Sequence, residues 1–233
     1  FLPAIVRVRE MLAEGAIGEP RWLAADFGFK APFNPKSRIY NPDLGGGALL
    51  DVGIYPISLA SMVFGAPQGI SSTARIGPTG VDEQDAIILS YAGGRLASLN
   101  ACVTMTTPTE AVIAGDKGII KIYTPFFRTR KISLGVNMIA DMGEKKMAWL
   151  RRAARMIPAV SRLRESLEGR HPRAIHAPYR GNGLHYQAAE VMRCLGQGLT
   201  ESPVMPWAET LSIMETMDKI RAQWGLVYPS EQS

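Results

Sequence analysis

Cysteine is scarce in this 233-residue sequence: there are two, Cys102 and Cys194, beside three histidines, His171, His176 and His185. Neither cysteine sits in a Cys-x-x-Cys pair, and the histidines are not at metal-ligand spacing. This argues against a metal site and against a disulfide framework, and a reducing, cytoplasmic compartment is the expectation. No apolar run reads as long enough to span a bilayer. The sequence has no Gly-x-Gly-x-x-Gly, no P-loop, no His-Glu-x-x-His and no Gly-x-Ser-x-Gly. The βαβ alternation of a dinucleotide-binding half is missing as well. A self-contained phosphate cradle, a zinc protease and a serine hydrolase are thereby excluded as far as those fingerprints define them. Excess charge is modest too: 26 Lys+Arg against 21 Asp+Glu leaves +5, too little to argue for a nucleic-acid partner.

What is present reads as one globular domain with helices at its ends and strands in its middle. Phe1 to Ala16 has Ile5, Val8, Leu12 and Ala16 at helical spacing. Arg21 to Phe29 alternates like a strand, and Lys30 to Leu44, with Pro32, Pro35 and Pro42, is a loop. An apolar helix follows over Ala48 to Phe64, stopped by Gly65-Ala66-Pro67. Six strands are predicted at Ile70–Ile76, Asp85–Tyr91, Arg95–Thr104, Thr109–Ala114, Ile119–Tyr123 and Thr129–Leu134, some joined by turns tight enough to imply antiparallel pairing. Two helices close the chain, Leu184–Leu195 and Trp207–Gly225, the second with Leu211, Met214, Met217, Asp218 and Arg221 spaced over its turns. The expected fold is α+β: an open, mainly antiparallel sheet with flanking helices. An uncovered sheet of this kind predicts a homo-oligomer.

The segment 144–170 stands apart as a basic helical insertion, rich in Lys and Arg and broken by Pro158. Contact with a membrane surface or a partner is one reading. A solvated helix is the preferred one, since a charge run is usually a wet face.

The strongest local feature is the run Gly45-Gly46-Gly47-Ala48-Leu49-Leu50-Asp51-Val52-Gly53-Ile54-Tyr55-Pro56. Three glycines permit close approach of backbone, and a helix starting after them aims its positive end at the same place. Asp51 and Tyr55 are four apart, which puts both on one helical face. Gly53 and Pro56 each weaken the helix that carries them. A carboxylate and a phenol on one face can hold a substrate hydroxyl, and the phenol can pass a proton. A capping Asp and a core-anchored Tyr remain the structural alternative. Arg38, in the loop feeding the glycines, is a candidate for contact with substrate or cofactor phosphate, or a plain surface arginine. Gly47, Arg75 and His185 are further candidates for contact with substrate, His185 being also a natural polar group for a helix end.

At these residues the sequence resembles the C-terminal domain of the Gfo/Idh/MocA oxidoreductase family, in the branch that holds dimeric dihydrodiol dehydrogenase and NADP-dependent D-xylose dehydrogenase. The similarity is carried by Phe1-Leu2-Pro3, Gly15-Ala16-Ile17-Gly18-Glu19, the glycine run with Asp51 and Tyr55, and Met62-Val63-Phe64-Gly65. Thr79-Gly80-Val81-Asp82-Glu83, Gly115-Asp116-Lys117-Gly118 and Glu201-Ser202-Pro203-Val204-Met205-Pro206 continue it. The resemblance implies a domain like the C-terminal domain of glyceraldehyde-3-phosphate dehydrogenase, binding a small polyhydroxylated substrate and oligomerising through its sheet. It implies Asp51 and Tyr55 as the family's catalytic Asp-x-x-x-His/Tyr pair. It also implies NADP or NAD as cofactor, held by an N-terminal Rossmann domain that supplies a lysine from a Glu-Lys-Pro motif. Residues 1–233 contain no such motif, and the start at Phe1 in place of Met reads as a cut. The expectation is therefore the substrate-side half of an NAD(P)-dependent oxidoreductase of sugars, polyols or diols, binding no cofactor tightly and inactive alone. The alternative is a non-catalytic dimerisation or sugar-binding module.

Overall fold

The computed structural model describes residues 1–136 and 172–231; the basic segment 144–170 and His171 lie outside the described residues. The chain opens on helix α1 (Pro3–Ala13), with Pro3 in the first turn, where its missing N–H is needed by no helical bond. Its buried residues are Ala4, Val8 and Met11, a stripe of i, i+4 and i+7. The expected stripe is therefore rotated: Ile5 and Leu12 are only partly buried at its edge.

Strand β1 (Pro20–Gly28) leads into the proline-rich loop, and a wide π-helical turn (Leu49–Gly53) runs directly into helix α2 (Ile54–Phe64). Six strands follow: β2 (Gly69–Ile76), β3 (Asp82–Ser90), β4 (Leu96–Cys102), β5 (Ala111–Gly115), β6 (Gly118–Ile122) and β7 (Lys131–Val136). Strand β8 (Arg173–His176), helix α3 (His185–Gly196) and helix α4 (Trp207–Ala222) complete the described residues.

The eight described strands form one sheet in the order β2-β3-β4-β1-β5-β6-β7-β8. Six of its seven pairings are antiparallel, as expected; β1 with β4 is parallel. Two features depart from the sequence reading. Strand β1 sits mid-sheet, inserted between β4 and β5, and β8 adds an edge. Periodicity identifies a strand but not its neighbour, and the link from Val103 to Glu110 is long enough to leave a slot for β1.

Leu23, Leu89, Leu99, Ile113 and Ile120 point to one face of this sheet, fully or almost fully buried under the helices. Helix α4 contributes Ile213, Thr216, Met217 and Ile220 to that core, whereas Leu211 and Met214 of the expected stripe are exposed. The spacing 213, 216, 217, 220 is the tighter helical match, and burial follows it.

The absence of any spanning-length apolar run also needs correction. Residues 42–64 are long and apolar enough, by length and composition, to cross a bilayer. In the fold most of this stretch is buried inside the domain, against β1 and β4, as a core helix is.

Candidate active site

The glycine run is folded as a sharp entry to the helix. Gly47 has φ +120°, a backbone that side-chain-bearing residues rarely adopt, and its N–H donates to the Ile39 carbonyl at 2.8 Å. The helix that follows begins as a π turn, a one-residue widening often found at functional positions. Gly53 ends that turn with β4 close behind it: a Cβ there would lie 3.4 Å from the Ala101 Cβ. Pro56 falls in the first turn of α2, where no intrahelical bond to its nitrogen is required. Both breaks in the helical pattern thus mark the junction of the two helical segments, the restart expected at Pro56.

Asp51 lies in the π turn with 14% of its side chain exposed, and its Oδ1 accepts from the Arg38 guanidinium at 2.5 Å. Arg38 is itself 64% exposed. Tyr55, one turn later, is 42% exposed. Its ring meets Phe27 edge-on at 5.3 Å and Phe127 at 5.1 Å, and those two phenylalanines stack on each other at 4.5 Å. Among the described residues no group hydrogen-bonds the Tyr55 hydroxyl. The phenol therefore has a fixed ring and a free polar end, the geometry a proton-transfer group needs before substrate arrives. Beside it opens a cavity of about 480 Å³, lined by Leu2, Ile5, Met62, Phe126, Phe127 and Gln187 among others. Its wall is apolar and aromatic, suited to the flat or carbon-bearing faces of a small molecule. Beyond Phe127, Arg128 and Arg130 line an adjoining depression with Tyr179.

The structure thus brings Arg38 to Asp51 and sets Tyr55 on a cavity whose lining includes neither Arg38 nor Asp51. The other candidates fall elsewhere. Gly47 is buried under Asp82, where a Cβ would come within 2.2 Å of the Asp82 Oδ1, so the absence of a side chain serves packing. Arg75 is exposed on edge strand β2, 3.8 Å from Glu83, beside a different depression near Phe33 and Tyr40. His185 begins α3, exposed, with its ring against Tyr186 at 4.2 Å. Its neighbours Gly183 and Gln187 border the Tyr55 cavity, while His185 does not line it. Sequence reading missed Phe27, Phe126 and Phe127, which come from two distant segments. The paired aromatics after Pro125 were the one available signal. It also missed Asp82, visible only as part of a family motif.

Residues 5–121 match the GFO/IDH/MocA C-terminal domain, half of the chain. The chain belongs to the GFO/IDH/MocA family. Among its relatives are trans-1,2-dihydrobenzene-1,2-diol dehydrogenases: that of Xenopus laevis is 35% identical over 231 residues, and that of Xenopus tropicalis 32% over 234. Each alignment takes in 98% of this chain and 62% of the relative, so the chain spans about three fifths of these GFO/IDH/MocA proteins. Its fold is also that of an aldose-aldose oxidoreductase from Caulobacter crescentus, with TM-score 0.71, 18% identity, and 95% of this chain covering 58% of that one. The 3-ketoreductase KijD10 of Actinomadura kijaniata, in complex with NADP, matches with TM-score 0.67 and 22% identity, over 94% of this chain and 58% of its own. These solved structures bear out the open sheet with flanking helices expected of a GFO/IDH/MocA C-terminal domain.

Proposed function

We propose that this chain is the substrate side of an NAD(P)-dependent oxidoreductase acting on a CH–OH group of a diol, polyol or sugar. The observation that carries the proposal is Tyr55: a half-exposed phenol, pinned by Phe27 and Phe127, on the wall of a small-molecule cavity. The names of the relatives supply the reaction class. The described residues fit part of the cofactor and not the rest. The wall of Tyr55, Phe126 and Phe127 can receive a flat nicotinamide ring. A glycine-rich turn between a parallel strand and a helix, which the dinucleotide phosphates need, is lacking among the described residues. The phosphate end is accordingly assigned to an N-terminal Rossmann domain such as the family carries.

Helix α3 supports a seat for a further domain. It exposes Val191, Met192 and Leu195 on the helix whose Gln187 borders the cavity, an apolar surface that a partner surface would cover.

In the reaction, the nicotinamide supplies the hydride acceptor or donor when bound. Tyr55 as the phenolate accepts the hydroxyl proton as the alcohol is oxidised, and as the phenol donates a proton in reduction. Asp51, oriented by Arg38, accepts a hydrogen bond from a neighbouring substrate hydroxyl and fixes which carbon reacts. The test is NADP- and NAD-dependent oxidation of vicinal diols and aldoses by the full-length protein, followed as nicotinamide absorbance. Turnover of at least one such substrate is expected; none with either cofactor refutes the proposal.

The sheet face opposite the core exposes Trp22, Ile88, Leu96 and Ile119, which the register places on one side. We propose that a second copy covers it. Sedimentation of the chain is expected at twice its 25.4 kDa or a higher multiple. Trp22→Arg combined with Ile119→Lys is expected to shift it to the monomer. A wild-type monomer overturns the assignment.

A further inference from the structure

We propose that Asp82 is the positioning residue of this site: its carboxylate, buried beneath the Gly47 turn, clamps the start of the helical segment that carries Asp51 and Tyr55. The inference rests on the reading of Tyr55 as the proton-transfer group.

The first amides of a helix have no partner within it, and the Ala48 side chain that precedes the π turn offers no oxygen. The missing acceptor arrives from 33 residues away, where the Asp82 Oδ2 takes the Leu49 N–H at 2.6 Å. Strand β3 aims it there through a bulge. Gln84 pairs with Arg75 and Asp82 with Ile76, so Glu83 is the extra residue, and the bulge turns Asp82 to the face occupied by Asp85. Asp82 is 0% exposed and Asp85 2%. Asp85 accepts the Ala101 N–H at 2.9 Å, which joins the clamp to β4. The Tyr228 hydroxyl donates to the Gly46 carbonyl at 2.7 Å. The turn ahead of Asp51 and Tyr55 is thus held by two groups distant in sequence.

The clamp is costly, and this separates positioning from ordinary stabilisation. Each carboxyl has one oxygen without a partner among the described residues. Burial pushes Asp82 up to about 6 against the pull of its N–H bonds. Burial first, and the Asp82 charge second, hold Asp85 well above the usual carboxylate range. The other titratable groups facing the pair are Tyr228, itself raised by burial, and Arg221 over the Tyr228 ring. An acid whose pKa is raised on folding contributes stability below its unfolded value that is lost as pH rises through the folded value. At pH 8 the ionised Asp82 therefore opposes folding. A residue present only for stability is improved there by losing its charge, whereas a positioning residue is not.

The test uses the full-length protein with Asp82→Asn, which keeps an oxygen for Leu49 but replaces the charge-assisted bond by a weaker neutral one, and Asp82→Ala, which leaves none. For Asp82→Asn at pH 8 the expected melting temperature is unchanged or higher, while kcat falls by about tenfold and the cofactor Kd stays within about twofold. For Asp82→Ala, amide exchange across residues 47–53 quickens by about tenfold or more, with a larger loss of kcat. If Asp82→Ala does not fold, the Asp82→Asn measurements decide alone. Wild-type kcat in Asp82→Asn overturns the proposal, as does a parallel fall of melting temperature and kcat, or unchanged exchange in a folded Asp82→Ala. If the wild type turns over no diol or sugar, the Tyr55 reading fails instead, and amide exchange still decides whether the clamp exists.

Discussion

Replacing Tyr55 by phenylalanine in the full-length protein is expected to cut kcat by about two to four orders of magnitude while leaving cofactor affinity nearly unchanged. The size follows from removing a positioned general acid–base group, whose contribution is about 10²–10⁴-fold. The selectivity follows from the packing. The ring keeps its edge contact with Phe27 and its contact with Phe127, so the cavity wall survives and only the free hydroxyl is lost. With no hydrogen-bond partner forfeited among the described residues, stability should move by less than about 1 kcal/mol. Steady-state kinetics with a diol substrate and a thermal melt check both halves. Wild-type turnover by the phenylalanine variant ends the proton role of Tyr55. A large fall in melting temperature means that the hydroxyl has a structural partner, and the kinetic loss then has another origin.

The second large effect is expected at Gly47. Alanine there must adopt φ +120° and place a Cβ 2.2 Å from the Asp82 Oδ1. The strained backbone costs about 1–3 kcal/mol and the forced contact about as much again. A total of roughly 2–6 kcal/mol corresponds to a fall of about 5–20 °C in melting temperature for a domain of this size. Gly93→Ala is the control. Gly93 also has positive φ (+72°), but nothing lies within 4 Å of its added Cβ. It should cost only about 1–2 kcal/mol, the price of a left-handed backbone without a clash. Equal losses in the two variants would show that backbone conformation alone matters at Gly47 and that the Asp82 contact relaxes freely.

The two variants probe different layers of one short segment, and the segment shows how much was readable in advance. The three glycines, Asp51, Gly53, Tyr55 and Pro56 stand out because they violate helical rules within a single apolar helix. The structure gives three of them a local physical reason: Gly47 over Asp82, Gly53 against Ala101, Pro56 in a first helical turn. Family resemblance through the same residues led to the right fold. It did not show that Arg38 pairs with Asp51, because a loop arginine has too many places to go. Nor did it show Arg75 at a different depression from Tyr55, since position along a strand says nothing about which depression the strand end borders.

Fold class, the count of end helices and seven of the eight described strands lay in periodicity and punctuation, which act over fewer than about twenty residues. So did the location of the unusual helix. The mid-sheet place of β1, the rotation of the buried stripes on α1 and α4, and the wall of Phe27 and Phe127 around Tyr55 depended on contacts between distant segments. The same is true of Asp82. On paper it is one acid in a motif; folded, a bulge turns it inward to cap the helical segment that starts 33 residues upstream at Leu49. Local patterns report what each segment prefers by itself. Which strand fits a vacant slot, and which oxygen answers an unpaired amide, is settled only when the whole sheet closes around them.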